Sequence, residues 1–395
     1  MYYLRSLEKI SLGYNLYLIA TDSITELSTL KFARYLEQNN ELWVTHPKDE
    51  KWGNVRLNNS QLKSAYEWAS ARSVMPENEK LVTGISIQET ANQDIAIDED
   101  ASPANDNVIV LAATGLNFRI IEQVLRELPI QSRTISIKAN VYHHCFDKTV
   151  INIACNIDSI DALRTKIKIL CEQLFIDIFV QPKVNLQQPG LAVFDMDSTL
   201  IEMECIDEIA KLAGVGEEVS AVTEQAMQGE IAFSESLHHR VACLKGVELK
   251  ALLAIRERLP FMPGLSPLLT ELKLKGWKVL VASGGFTFFA DYIKALFDLD
   301  HAFSNTLEVS NGKLTGKVVG DVVDAQAKAD ILTKIALQLN IPISNTIAVG
   351  DGANDLVMMS VAGAGIAFKA KSKVQAQADN SIRFSGLEAV LYLLG

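Results

Sequence analysis

The sequence lacks the features of secreted and membrane-embedded proteins. Its five cysteines are dispersed and form no Cys-x-x-Cys pair; they are Cys145, Cys155, Cys171, Cys205 and Cys243. A scattered, odd set of cysteines is typical of reduced thiols, so we predict a cytoplasmic protein. No stretch reaches the roughly 18 consecutive apolar residues that a membrane span requires. Charged residues also interrupt the N-terminus too early for a signal peptide, so we expect no membrane association.

Positive charge is scarce as well. The formal net charge is −11, and no basic stripe stands out along the chain. This balance argues against nucleic acid as a partner. Between Lys80 and Arg119 there is no lysine or arginine at all. Within that interval, residues 87–107 are acidic and poor in large apolar side chains, which predicts a linker or solvated loop.

Apolar residues make up 48% of the 395 positions, enough for more than one hydrophobic core. We predict an N-terminal α/β region over 1–86, whose role the sequence does not indicate, followed by the acidic linker. Residues 108–181 and 182–395 then form two further domains. A helical cap is expected at about 202–260, within the last of these.

Residues 108–181 show alternating strand and helix patterns in the order βαββαβ, which is the ferredoxin-like arrangement. Thr114-Gly115-Leu116 lies where the first strand turns into the first helix. In topology and in this turn, the segment resembles ACT-type amino-acid-binding domains, which implies an amino-acid effector. A plain dimerisation domain, giving a homodimer, is an equally weighted alternative. His143, His144 and Cys145 fall at the expected hairpin tip, where we favour a simple polar turn.

One ten-residue stretch, LAVFDMDSTL at 191–200, organises the last domain. Its apolar run is typical of a strand buried on both faces of a parallel sheet. The run ends in Asp195 and Asp197, two carboxylates that are costly to bury without compensation. A bound Mg²⁺ would compensate them, because hard cations prefer oxygen ligands. The alternative is an Asp-rich turn that caps a helix.

Three further polar motifs follow downstream. A second apolar strand ends in Ser283-Gly284-Gly285, where a hydroxyl and backbone N–H groups could cradle a phosphate. Lys328 lies at the start of a predicted helix and could neutralise phosphoryl oxygens. A third strand ends in GDGAND at 350–355, with Asp351, Asn354 and Asp355.

The order and strand context of these four motifs resemble those of the haloacid dehalogenase superfamily, over residues 189–395. The resemblance implies a Rossmann-like parallel sheet with an inserted helical cap, preceded here by the ferredoxin-like α+β domain. It also implies that Asp195 is the nucleophile that becomes an aspartyl-phosphate, that Asp197 is the general acid and base, and that Asp195, Asp351 and the carbonyl of Asp197 bind Mg²⁺. Ser283 and Gly284 would form the phosphate cradle, and Lys328 would be the neutralising cation. Asn354 would contact substrate oxygens, and Asp355 would orient Lys328 or a metal-bound water.

The cap carries two charges of interest, Glu204 in MECIDEIA and Arg240 in SLHHR. Solvated helix charges are the ordinary interpretation of such residues. The cap also resembles that of phosphoserine phosphatases, which implies that Glu204 pairs the substrate ammonium and Arg240 its carboxylate. Met227 and Phe233 match the apolar residues that shield the pocket.

The expected function is therefore Mg²⁺-dependent hydrolysis of O-phospho-L-serine to L-serine and phosphate, the last step of serine biosynthesis. One alternative keeps the aspartyl-phosphate but transfers the phosphoryl group to an alcohol such as homoserine. A second alternative is a non-catalytic amino-acid sensor built on a retired phosphatase. The intact Asp195, Asp197, Lys328 and Asp351 count against the sensor.

Overall fold

The computed structural model describes residues 107–395, apart from short gaps at 115, 117, 130–133, 143–147, 156, 158 and 229–230. It also describes the backbone of five strands in the preceding segment. The chain forms two compact units. The first comprises Met1–Gln181 with Leu391–Leu393 and Gly395, and the second Pro182–Val390 with Leu394.

The first unit contains two sheets. Its strands are β1 (Tyr2–Ile10), β2 (Gly13–Thr21), β3 (Glu79–Leu81), β4 (Ile85–Glu89), β5 (Ile95–Asp98), β6 (Asn107–Ala113), β7 (Thr134–Ala139), β8 (Thr149–Cys155) and β9 (Asp177–Val180), and its helices are α1 (Phe118–Glu127) and α2 (Ile160–Leu174). Strands β1, β2 and β3 form one sheet, and the other has the order β5-β4-β7-β8-β6-β9. From β6 to β9 the elements follow the order βαββαβ, and neighbouring strands pair antiparallel.

Two strands lie where the sequence predicts an acidic linker. Strand β4 enters the 87–107 segment and β5 lies within it, and the two pair antiparallel, with β4 also pairing to β7. The physical reason is visible in the sequence, because Ile85 and Ile87 alternate with polar residues, and Ile95 and Ile97 are likewise two residues apart, on one face of a strand. The composition of residues 87–107, acidic and without lysine or arginine, favoured a linker over a strand despite this alternation. The expected turn with His143, His144 and Cys145 lies outside the described residues.

The second unit is a parallel α/β domain with an inserted group of helices. Its strands are β10 (Leu191–Phe194), β11 (Lys278–Phe286), β12 (His301–Ser310), β13 (Lys313–Val319), β14 (Thr346–Gly350), β15 (Ala364–Phe368) and β16 (Asn380–Ile382). Its helices are α3 (Cys205–Ala213), α4 (Gly216–Gln228), α5 (Phe233–Cys243), α6 (Leu249–Arg256), α7 (Leu265–Leu274), α8 (Thr287–Phe297), α9 (Ala325–Gln338), α10 (Leu356–Val361) and α11 (Ser372–Gln375). The residues of α12 (Ala389–Leu394) are divided between the two units.

The sheet of this unit has the order β13-β12-β11-β10-β14-β15-β16 within the described residues. Strand β10 lies at its centre and pairs parallel with β11 on one side and β14 on the other. All four residues of β10 and all five of β14 are buried. This explains why both strands appear in the sequence as continuous apolar runs instead of alternating ones.

Helices α3 to α6 lie between β10 and β11, where the sequence predicts a helical cap, and are called the cap here. The chain enters and leaves the cap side by side, since Glu202 N donates to Pro260 O at 2.8 Å and Met262 N to Leu200 O at 2.9 Å. A single two-stranded connection therefore joins the cap to the sheet. On its other side the cap is tied to β13, because Gly246 N donates to Leu314 O at 2.8 Å.

A β-hairpin lies at one edge of this sheet. Strands β12 and β13 pair antiparallel, and the turn between them is Asn311-Gly312. Both turn residues have positive φ, 50° and 72°, as a type I′ turn requires. Among the described residues, no helix combines the length and apolar character needed to cross a bilayer.

Candidate active site

The central strands bring three of the four motifs together. Strands β11, β10 and β14 are parallel neighbours, so their carboxyl ends meet at one edge of the sheet, where α/β proteins bind ligands. Asp195 follows β10, Ser283 lies near the end of β11, and Asp351 follows β14. The backbone N–H of Asp195 extends the pairing by donating to Val349 O at 2.9 Å. Sheet geometry alone therefore places the nucleophile candidate between the other two motifs.

Lys328 reaches the same edge from helix α9. Asp324 caps this helix, since its Oδ1 accepts a hydrogen bond from Ala327 N at 2.9 Å. Lys328 lies in the first turn and its side chain is fully buried. Its Nζ donates to Asp195 Oδ1 at 2.8 Å and to Asp355 Oδ1 at 2.7 Å. Burial acts to lower the pKa of Lys328, but the two carboxylates outweigh it and raise that pKa above its ordinary value.

Asp355 holds Lys328 in place. While Oδ1 accepts from Lys328, Oδ2 accepts from Gly352 N at 2.9 Å. Gly350 is needed beside it, because a Cβ there would lie 2.4 Å from the carboxyl carbon of Asp355. Both oxygens of Asp355 are thus engaged by the protein. Asn354 is half-buried on the same turn, next to Gly352.

Three carboxylates gather at this edge. Asp195, Asp351 and Asp355 each offer an oxygen within 4.8 Å of the others, among the described residues. Burial, followed by the charges of Asp195 and Asp355, raises the pKa of Asp351 to about 7. The three carboxylates carry more negative charge than Lys328 alone can neutralise, and their oxygens are the donors that Mg²⁺ prefers. The residues therefore fit Mg²⁺, with Asp195 and Asp351 freer than Asp355 to serve as ligands.

Asp197 lies on the turn after β10, next to the start of cap helix α3. The backbone N–H of Cys205 donates to its Oδ1 at 3.3 Å. On the other side the backbone of Gly285 approaches so closely that a Cβ there would lie 2.7 Å from Asp197 Oδ2. Burial, then the charge of Glu204, raises the pKa of Asp197 well above its ordinary range. A carboxyl held in this way can carry a proton to a leaving group.

The loop at the end of β11 has the form of a phosphate cradle. Ser283 is buried, and its Oγ accepts from Gly285 N at 2.9 Å. Asn305 on β12 is buried beside it and donates from Nδ2 to Gly284 O at 2.8 Å. The same side chain accepts from Val323 N at 2.8 Å, next to the start of α9. Asn305 thus links the cradle to the helix that carries Lys328.

The cap contributes residues to the same edge. The ring of Phe233 lies over the cradle, since a Cβ on Gly284 would be 2.9 Å from its Cζ. Glu204 precedes α3 and is exposed, and its Oε1 accepts from Ser198 Oγ at 2.7 Å. Arg240 on α5 is half-buried and donates from Nε to Ser236 O at 3.4 Å. Met227 lies on α4, and its side chain is outside the described residues.

Arg240 lies among acidic groups. Burial lowers its pKa, while the charges of Asp207, Glu204 and Asp197 act in the opposite direction. The cap therefore presents one guanidinium and one exposed carboxylate, Glu204, near the acidic edge of the sheet. This pair of opposite charges is the arrangement that a zwitterionic substrate requires.

Comparison with known proteins agrees with this geometry. A family model described as haloacid dehalogenase-like hydrolase matches residues 190–363. A phosphoserine phosphatase of Vibrio cholerae is 58% identical over 215 residues, which cover 54% of this chain and 66% of the relative. One from Idiomarina loihiensis is 52% identical over 51% of this chain and 92% of its own length.

The chain belongs to the phosphoserine phosphatase family of haloacid dehalogenase-like hydrolases. A solved structure described as a phospho-aspartyl intermediate analogue of phosphoserine phosphatase is 43% identical, with a TM-score of 0.50, over 53% of this chain and all of that one. This chain spans about two thirds of the V. cholerae relative.

Three residues that contact or lie near the candidate site, Asn305, Ser198 and Asp207, were not identified as site residues from the sequence. Asn305 was missed because a single asparagine in a strand carries no spacing signal. Ser198 adopts a left-handed backbone, φ 56°, which is uncommon for a residue other than glycine and places its hydroxyl on Glu204. Asp207 follows Glu204 by three residues, and that helical spacing could have suggested a second acid on the same face.

Proposed function

We propose that the protein hydrolyses O-phospho-L-serine to L-serine and phosphate through an aspartyl-phosphate at Asp195. The observation that carries this proposal is the wholly buried Lys328, which donates to Asp195 while Asp355 fixes it from the other side. A cation in this position lies where charge on a phosphoryl group must be neutralised as Asp195 attacks it.

The first half of the reaction transfers the phosphoryl group to the enzyme. An oxygen of Asp195 attacks phosphorus, the bond from phosphorus to the serine oxygen breaks, and Asp197 gives its proton to that oxygen. Its raised pKa suits this role, because burial and the charge of Glu204 both favour the protonated carboxyl. Ser283 and the N–H groups of its loop bind the phosphoryl oxygens. When Mg²⁺ is bound by Asp195, Asp351 and the Asp197 carbonyl, it supplies further positive charge at these oxygens.

The second half returns the enzyme to its starting state. Asp197, now a carboxylate, accepts a proton from water as the water oxygen attacks phosphorus. The bond between phosphorus and Asp195 breaks, and phosphate leaves. Lys328 remains paired with Asp355 throughout, so its position does not depend on the charge of Asp195. Asn354, half-buried on the neighbouring turn, contacts the oxygens of the substrate.

Selection of phosphoserine falls to the cap. Glu204 pairs the substrate ammonium and Arg240 binds its carboxylate in two parallel hydrogen bonds. Phe233 covers the cradle at Gly284, and Met227 adds to this apolar cover. Enclosure by the cap excludes bulk water and strengthens each of these interactions.

The test is phosphate release from phosphoserine by the full chain, with and without Mg²⁺ and with Asp195→Asn as the matched inactive control. Adding homoserine and identifying products by mass spectrometry separates hydrolysis from transfer to an alcohol. We expect Mg²⁺-dependent release of phosphate and serine, with no phosphohomoserine. Phosphohomoserine as the main product would replace the proposal with the transferase, and no release at all would favour the sensor.

For the first unit we propose an ACT-type ferredoxin-like domain over 108–181, preceded by an α/β region over 1–86. The βαββαβ order from β6 to β9 supports the proposal. An amino-acid effector and a homodimer are the two roles consistent with such a domain. A cytoplasmic location is supported by Cys155, Cys205 and Cys243, none of which forms a disulfide within the described residues.

A further inference from the structure

A second cavity lies away from the catalytic edge, between the cap and the core of the second unit. Its volume is about 470 Å³. One wall comes from cap helix α6, another from α8, and the third from the β12–β13 hairpin. This volume lies within the range of about 300–1,000 Å³ that small-molecule sites occupy. None of the proposed catalytic residues lines it.

The floor of the cavity is apolar. Leu252, Leu307 and Leu314 are buried there, and Leu249 and Val309 extend the apolar surface toward the rim. The residues come from a cap helix and from the hairpin, so no single element fills the space between them. Such a surface suits the side chain of a large apolar ligand.

Two opposite charges lie at the rim. The guanidinium of Arg256 stacks on Phe288 at 4.7 Å and on Tyr292 at 5.0 Å from the ring centroids. A guanidinium that stacks on aromatic rings keeps its N–H donors in its own plane, where a carboxylate can bind them. Within the part of the second unit that the structure describes, no carboxylate forms an ion pair with Arg256.

Asp291 supplies the negative charge. Phe288, Asp291, Tyr292 and Ala295 line the cavity from one face of α8, as the spacing of three and four residues requires. Asp291 is exposed and forms no ion pair with Arg256 or with any other described cation. The cavity therefore offers an unpaired cation, an unpaired carboxylate and an apolar floor together.

We propose that this cavity binds an α-amino acid with a large apolar side chain. The ligand carboxylate would bind the edge of Arg256, its ammonium Asp291, and its side chain the leucine-lined floor. A ligand with only one of these charges would leave the other rim group unused.

The position of the cavity connects ligand binding there to the catalytic site. Helix α8 begins at Thr287, directly after the Ser283-Gly284-Gly285-Phe286 cradle, and α6 belongs to the cap. A ligand held between them is sensitive to the position of the cap over the cradle. Its binding is therefore coupled to substrate binding, in both directions.

The experiment is isothermal titration calorimetry of the full chain with L-phenylalanine as the probe. The comparison ligands are 3-phenylpropanoate, which lacks the ammonium, and 2-phenylethylamine, which lacks the carboxylate. We expect L-phenylalanine to bind about tenfold or more tightly than either, because each charged contact is worth roughly that factor.

Variants locate the bound probe. Val309→Trp places a bulky side chain at the exposed rim, and Arg256→Gln removes the cation; both should weaken binding by about tenfold or more. Arg258→Gln, on the exposed end of the same segment, is the matched control and should bind as the parent does. Arg240→Ala should also bind normally, because it alters only the catalytic site. Circular dichroism checks that each variant is folded.

Three results would overturn the proposal. Absence of binding at millimolar L-phenylalanine would exclude the ligand class. Unchanged binding in folded Val309→Trp would place the probe elsewhere, for example in the first unit. Loss of binding in Arg240→Ala would place it in the catalytic site. The readout is binding rather than turnover, so the outcome is independent of whether the protein hydrolyses phosphoserine.

Discussion

Lys328 Nζ lies 2.8 Å from Oδ1 of Asp195, and the two side chains are almost completely shielded from water. A buried ion pair is stable only when further hydrogen bonds satisfy the remaining groups. Here Asp355 provides the second acceptor for Lys328 at 2.7 Å, and Gly352 N satisfies Asp355. Asp195, Lys328 and Asp355 therefore form a single hydrogen-bonded network that is shielded from water. A buried ion pair often stabilises a protein no more than apolar side chains of similar size would, so this network points to a catalytic role.

Removing the cation should damage both stability and activity. Lys328→Met keeps the length of the side chain but leaves two carboxylates buried without a counter-charge, which typically destabilises a protein by about 3–5 kcal/mol. We expect urea unfolding in EDTA to show that loss, and phosphate release to fall to background. Lys334→Met, exposed on the same helix, is the control and should change neither. Near-normal turnover by Lys328→Met would remove the main support for the mechanism.

Two adjacent glycines should respond differently to alanine. At Gly285 a Cβ would meet Asp197 Oδ2 and Met196 Cε, each at 2.7 Å. At Gly284 it would meet only the end of the Phe233 ring, at 2.9 Å, and that ring can move. A displaced general acid is costly, since misplacement by about 1 Å can reduce the rate about 10²-fold.

We therefore expect Gly285→Ala to lose about 10²-fold or more in kcat and Gly284→Ala much less. Combining Gly284→Ala with Phe233→Leu should restore part of the smaller loss, because the shorter side chain makes room. Steady-state kinetics on the two single variants and the double variant give the answer. Equal losses for the two glycines would mean that the close approach to Asp197 has no special importance.

The sequence was informative about the catalytic edge for a physical reason. Three of the four motifs follow an apolar run, and parallel strands bring their carboxyl ends together whatever lies between them, so Asp195, Ser283 and Asp351 could be placed from the sequence. Asn305 could not, because its role depends on two backbone groups, at Gly284 and Val323, that come together only in the folded chain. The strands at Ile85–Glu89 and Ile95–Asp98 were missed because composition outweighed a short alternation.

The role of Asp197 can be tested through the leaving group. The alkoxide of serine leaves poorly unless it is protonated, and general acid assistance is typically worth about 10²–10⁴ in rate. p-Nitrophenolate needs no such help. Asp197→Asn should therefore slow phosphorylation by phosphoserine far more than phosphorylation by p-nitrophenyl phosphate, as measured in rapid-mixing burst experiments. Equal slowing on the two substrates would indicate that Asp197 acts on binding or structure instead of on proton transfer.

Specificity for the amino acid should depend on the cap and not on the sheet edge. In the proposed function, the network at Asp195 contacts only the phosphate ester, and Arg240 and Glu204 bind the charges of the amino acid. Truncating one member of a buried charge pair typically costs about 2–5 kcal/mol, so Arg240→Ala should lower kcat/KM for phosphoserine about 10²-fold or more. p-Nitrophenyl phosphate has neither an ammonium nor a carboxylate, and its hydrolysis should change little.

The matched variants sharpen this comparison. Arg240→Lys keeps the charge but cannot make two parallel hydrogen bonds to a carboxylate, so it should recover only part of the loss. Glu204→Gln should behave like Arg240→Ala on phosphoserine, because it leaves the ammonium without a counter-charge. If instead all three variants lose activity in proportion on both substrates, these residues hold the cap together and do not recognise the amino acid. In that case the catalytic edge would still be a phosphatase site, and the choice of phosphoserine as its substrate would have to be abandoned.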